Sequence, residues 1–133
     1  MTRVQTRWEP RGVWRIFWGH ITGQDAIESF ARIADDERFD TIRYNLLDFT
    51  EVESWRTDDE KLRPVGAHTV GPALSNPNIQ VLIVTGDDDL KEVARRYVAQ
   101  GLNRYHDEVF SAVDEARRWI ESKLFPLSAQ DQA

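Results

Sequence analysis

The chain has no cysteine among its 133 residues. That excludes a disulfide framework, thiolate catalysis and cysteine-bound metal, and it fits a reducing, cytoplasmic compartment. No apolar run approaches the ~20 residues that a membrane span requires, and Met1-Thr2-Arg3-Val4-Gln5-Thr6-Arg7-Trp8 has no signal-peptide h-region. Neither a membrane span nor a secretory leader is therefore expected. Positive charge is also in deficit: 17 Lys and Arg face 23 Asp and Glu, for a net charge of −6. Phosphate neutralisation needs clustered cations, so nucleic acid is not the expected partner. There is no internal repeat, no low-complexity tract, no P-loop and no dinucleotide G-x-G-x-x-G. The single glycine of Thr85-Gly86-Asp87 leads into three acidic residues, which would oppose an anion at that loop.

What is present is an ordinary soluble composition, 41% hydrophobic and 30% charged, with five tryptophans to fill a core or an interface. The length predicts a single domain over residues 1–125 and a flexible polar tail over 126–133. Glu9-Pro10-Arg11-Gly12 is a turn signal between a weakly alternating stretch from Arg3 and the apolar run Val13 to Ile21, so the chain opens on a β-hairpin. One parity of that run carries Val13, Phe17 and Ile21 and the other carries Trp14, Ile16 and Trp18, which implies cover on both faces. Thr22 with Asp25 forms a loose capping box before a helix whose Ile27, Phe30, Ala31 and Ala34 face inward.

The run Ile42-Arg43-Tyr44-Asn45-Leu46-Leu47-Asp48-Phe49-Thr50 is read as a strand that stops on a carboxylate and a hydroxyl. In an open α/β sheet such a stop marks the carboxyl edge, where ligands bind. Thr57-Asp58-Asp59-Glu60 is a second capping box, before a helical stretch from Glu60 to Leu74 that Pro64, Gly66, Gly71 and Pro72 weaken. Ile79 to Thr85 is a β-branched run with the character of a buried central strand. Asp87 caps a helix with Leu90, Val93, Ala94, Tyr97 and Val98 on one face and Gly101 at its C′ position. A short strand over Arg104 to Phe110 and a last helix with Val113, Ala116, Ile120 and Leu124 inward complete the chain. The order β-β-α-β-α-β-α-β-α predicts an α/β fold: a mixed, mostly parallel five-stranded sheet with about four helices.

In this order of elements, four stretches resemble the SpoIIAA-like or STAS/SEC14-type small bacterial domains, STAS being the sulfate-transporter and anti-sigma-antagonist domain. They are Gly19-His20-Ile21-Thr22, Leu46-Leu47-Asp48-Phe49-Thr50-Glu51-Val52, Asn76 through Thr85, and Val109-Phe110 with Ala116-Arg117-Arg118-Trp119-Ile120. They are patterns of strand ends and helix starts, not catalytic signatures. The resemblance implies a regulatory or binding module. In anti-sigma-antagonist members it also implies a phosphorylatable Ser at the start of the second helix, a position that falls on Thr57 here. This chain departs from that pattern, with Arg56 in place of the preceding Asp and Asp58-Asp59 in place of the following Ser-Gly.

Each candidate residue has a bland counterpart. Thr57 accepts a phosphoryl group or simply caps its helix through Glu60, and the three acidic neighbours favour the cap. Asp48, grouped with His20 or Thr22 and with Thr85 to Asp89, binds a metal or acts as a base, or it accepts loop N–H groups while Asp87 serves a helix dipole. No metal-ligand spacing occurs within any element, so no metal and no cofactor are expected. Trp55 is either a lid over the core or an exposed anchor. His68 and His106 have no nucleophile to pair with, and Arg95-Arg96 and Arg117-Arg118 are read as solvated helix faces.

The expected working edge comprises His20, Thr22, Asp48, Thr50, Trp55, Thr57, Thr85 and Asp87. The expected function is a non-enzymatic, cytoplasmic module acting on an unknown protein partner or a small ligand, with a homodimer plausible. A lipid-like apolar ligand is the alternative, supported by Trp14, Phe17, Trp18 and Trp55. An enzyme using Asp48 and His20 ranks last.

Overall fold

The structure, a computed structural model, describes residues 3–56, 64, 67–101 and 104–125. Thr57, most of the stretch expected to be helical from Glu60, and the 126–133 tail lie outside the described residues. Five strands form one sheet in the order of the sequence: β1 (Val4–Glu9), β2 (Gly12–Thr22), β3 (Tyr44–Arg56), β4 (Gln80–Val84) and β5 (His106–Phe110). β1 pairs antiparallel with β2, and every later pairing is parallel. The opening hairpin and the mixed, mostly parallel sheet are as the sequence predicts.

The parallel pairings require crossovers, and these carry α1 (Gly23–Ala34), α2 (Val70–Ser75) and α3 (Asp88–Ala99). A 3-10 turn, Glu37–Thr41, follows α1. The chain closes on α4 (Val113–Trp119), which runs into a π-helical turn at Ile120–Leu124. Val13, Phe17, Val81 and Ile83 meet Ile33 of α1 and Leu90 and Ala94 of α3 on one face of the sheet. Tyr44, Leu46, Leu82 and Val84 meet Ala116 and Ile120 on the other. The period-2 alternation of β3 and β4 thus feeds two cores, which is why both strands read as continuous apolar runs.

Local chemistry sets the element boundaries. The Thr22 hydroxyl accepts from the Asp25 amide at 3.2 Å, and the Asp25 carboxylate accepts from the Thr22 amide at 2.9 Å. This is the expected capping box. Asp87 caps α3 by accepting from the Leu90 amide at 2.9 Å. Gly101 follows α3 with φ +63°, a left-handed conformation that glycine adopts without steric cost.

Three expectations are corrected. β3 does not stop at Asp48–Thr50 but runs on to Arg56. Between Ile16/Trp18 and again between Gly19/His20, the register gains a residue on β3, giving two bulges. The first is fixed by Asp48 Oδ1, which accepts from the Thr50 amide at 3.0 Å and the Thr50 hydroxyl at 2.6 Å. β4 pairs with β3 only as far as Asp48–Val84, so β2 and β3 continue past the parallel core as a two-stranded ribbon. On α1, Ala31 is exposed, while Ser29 and Ile33 are buried. Arg117 is not a solvated residue: it makes a two-pronged pair with the Glu9 carboxylate, at 2.6 and 2.8 Å.

Candidate ligand cavity

Between the sheet, α1 and α3 lies a half-open cavity of about 100 Å3. Its floor comes from the inward parity of the strands, with Arg15 and Phe17 from β2, Asn45 and Leu47 from β3, and Ile83 from β4. Ile27 and Phe30 of α1 and Leu90, Ala94 and Tyr97 of α3 close it from the other side. Trp55 reaches the cavity from the far end of β3, with its ring edge-on to Phe49 at a centroid distance of 5.4 Å. His68, Thr69 and Asp107 complete the polar part of the lining. An engineered apolar cavity of about 150 Å3 admits benzene; this one is smaller but open on one side, so it suits a short branched chain or a single ring that projects through its mouth.

Several polar groups around this apolar space lack hydrogen-bond partners among the described residues. Arg15 is 2% exposed. One of its guanidinium nitrogens donates to the buried Ser29 hydroxyl, and its Nε has no hydrogen-bond acceptor. The guanidinium carbon lies 5.2 Å from the centroid of the Phe17 ring. Burial pushes Arg15 down to about 9, with no charged partner among the described residues to hold it at its ordinary value. Asn45 Oδ1, Trp55 Nε1 and the Tyr97 hydroxyl are likewise buried without a hydrogen-bond partner. Burial also raises the Tyr97 phenol well above its ordinary value, and nearby Asp107 adds to that shift. Buried polar atoms in native proteins are overwhelmingly satisfied, so several orphans around one cavity call for an occupant.

The expected edge residues fall into two groups. His20, Thr22 and Trp55 lie on the ribbon, whereas Asp48, Thr50, Thr85 and Asp87 lie where β4 ends. His20 stands opposite Ser54 and Asp48 opposite Ile16, four residues apart along β2. At ~3.3 Å per residue that separates them by more than ~10 Å, so they form no catalytic pair. His20 is exposed, with Nδ1 2.6 Å from the Ser54 hydroxyl and Nε2 3.3 Å from Glu53. Asp48 is buried and accepts from Trp14 Nε1 at 3.1 Å as well as from Thr50. Thr85 is buried, and its hydroxyl accepts from the Asp87 amide at 3.1 Å. Among the described residues no three His, Asp or Glu side chains converge to hold a metal ion. Of the expected residues that the structure describes, Trp55 alone lines the cavity.

No family model matches the sequence, and no curated protein matches it significantly. Solved structures do. The phosphorylated form of the Bacillus cell fate determinant SpoIIAA superposes with a TM-score of 0.54 at 11% identity, over 89% of this chain and 99% of that one. The chain has the SpoIIAA-like fold. An uncharacterized DUF3478-family protein with a SpoIIAA-like fold from Shewanella loihica PV-4 also matches, with a TM-score of 0.49 at 14% identity, over 89% of this chain and 92% of that one. Within this SpoIIAA-like frame, Arg15 and Asn45 are the residues that sequence reasoning passed over. The signal was a charged and an amide side chain on the inward parity of otherwise apolar strands, in Val13-Trp14-Arg15-Ile16-Phe17 and Tyr44-Asn45-Leu46.

Proposed function

We propose that this chain is a non-enzymatic, cytoplasmic module that works by holding a small, largely apolar ligand between the sheet and helices α1 and α3. The observation that carries this reading is the apolar cavity with orphaned polar groups in its wall. Ligand sites have this character: mostly hydrophobic lining with a few placed polar groups. A volume of about 100 Å3 favours a compact ligand over an extended lipid. A regulatory role is the natural use of such a module, since the structurally similar SpoIIAA is a cell fate determinant.

The test is a 1H–15N NMR titration with benzyl alcohol. The reading expects shifts centred on Leu47, Ile83 and Ala94, suppressed in Ala94→Leu, whose larger side chain occupies the cavity. Shifts scattered over the surface, or none, would remove the reading.

A second reading, contact with a protein partner or a second copy, rests on α2. There Val70 and Leu74, one turn apart, are 42% and 86% exposed. Light scattering over a concentration series, with Leu74→Glu as control, tests self-association through this face. A monomer at every concentration would leave α2 to a different protein.

A further inference from the structure

We infer that the cavity is a carboxylate site, in which Arg15 receives the head of a small apolar monocarboxylate whose body lies against Leu47, Ile83 and Phe30. This rests on the ligand-binding reading and names its chemistry.

The charge on Arg15 is unbalanced. A buried guanidinium is tolerated when it is paired and its donors are met. Arg15 has one neutral hydroxyl acceptor, in Ser29, and the face of Phe17, and no carboxylate among the described residues pairs with it. Asp107, the other charged residue of the lining, stands on β5, three strands from β2. At ~4.8 Å per strand their backbones are about 14 Å apart. A water molecule would satisfy Nε but bring no charge.

A carboxylate satisfies both needs. Its two oxygens match the guanidinium fork, and its single negative charge cancels the single positive one. Inorganic phosphate, a mixture of monoanion and dianion at neutral pH, has no apolar body to fill the surrounding wall. Asn45, diagonal to Arg15 on the cavity floor, keeps its Oδ1 free of any partner and so leaves the guanidinium unengaged. The remaining wall is apolar, which selects an aryl or short branched alkyl body.

The experiment is calorimetric titration of the full chain with benzoate, benzamide, benzyl alcohol and inorganic phosphate. Benzoate is expected to bind at least about tenfold more tightly than either neutral ring, the scale of a hydrogen bond to a charged group, with phosphate not binding. In Arg15→Met, with folding verified by circular dichroism, that preference should vanish while weak benzyl alcohol binding persists. Equal binding of benzoate and benzyl alcohol by the unaltered chain would overturn the carboxylate assignment and leave the cavity reading standing. Binding of phosphate but not benzoate would also overturn it. Failure of every ring to bind would remove both. The comparison of ligands on the unaltered chain decides the matter even if the variant does not fold.

Discussion

Replacing Arg15 with methionine should make the ligand-free protein more stable, an unusual outcome for a buried core position. Burial pushes the guanidinium from its ordinary, strongly basic value down to about 9. At about 1.4 kcal/mol per pH unit, the charged form costs the folded state on the order of 5 kcal/mol. The folded value lies below the unfolded one. The penalty is therefore fully present below pH 9 and is relieved only as pH rises above 9 toward the ordinary guanidinium value. Tyr44 and Tyr105, both raised to about 12, oppose that relief above their ordinary 10, so a substitution is cleaner than an alkaline titration. Methionine keeps most of the apolar stem but leaves the buried Ser29 hydroxyl without its donor, a loss of about 1–3 kcal/mol. The net expectation for Arg15→Met is a gain of about 2–4 kcal/mol in urea unfolding at pH 7 with an unchanged m-value. A loss of 1 kcal/mol or more would show that the guanidinium is well compensated by the fold, and the reasoning from an unbalanced buried charge would fail.

Four further expectations follow from contacts elsewhere. Arg117 holds the Glu9 carboxyl below its ordinary 4.5, so the pair's stability is present above that value and is lost as pH falls through the lowered folded value. A double-mutant cycle with Glu9→Gln and Arg117→Met should give a coupling of about 1–2 kcal/mol at pH 7 that fades toward about pH 2, and a constant coupling would contradict the assignment. Gly12→Ala places a methyl group into the Tyr44 ring, which Glu9 and Arg117 hold in place, and should cost about 1–3 kcal/mol in chemical denaturation. Buried Asn76 donates to the Phe39 and Ile42 carbonyls at 2.8 and 2.9 Å and accepts from the Asn78 amide at 3.1 Å, so Asn76→Ala should cost about 2–4 kcal/mol; a loss under 1 kcal/mol would mean that water replaces these bonds. Thr22→Ala removes the capping box of α1 and should cost about 1 kcal/mol, read as a drop in Tm.

The elements most legible in the sequence were those whose patterns are local. The turn before Gly12, the Thr22 capping box, the β-branched run into Val84 and the unbroken stripe of α3 each specify themselves within a few residues. β3 was cut short because its last part, Glu51-Val52-Glu53-Ser54-Trp55, belongs to a half-solvated ribbon, and two bulges scramble its parity. Asp48 and Thr50 imitate a strand end because they hydrogen-bond to each other at the first bulge. The face of α1 was misplaced at Ala31 because Ser29 is buried for its bond to Arg15, a requirement set by another element. Arg117 was misread for a similar reason: its partner, Glu9, lies 108 residues away in sequence. The candidate site was the least legible part. Its charged residue sits in a strand whose apolar neighbours dominate the pattern, and only the fold shows that no carboxylate among the described residues pairs with it.

What the Arg15 guanidinium meets inside the cavity decides whether this is a carboxylate site. Its Nε–H resonance, assigned by comparison with Arg15→Met and followed by 1H–15N NMR during addition of benzoate, reports that contact directly. A carboxylate bound to Arg15 shifts that resonance downfield and slows its exchange with solvent, and benzyl alcohol produces neither change. An Nε–H signal that stays fixed while benzoate binds would contradict the carboxylate assignment.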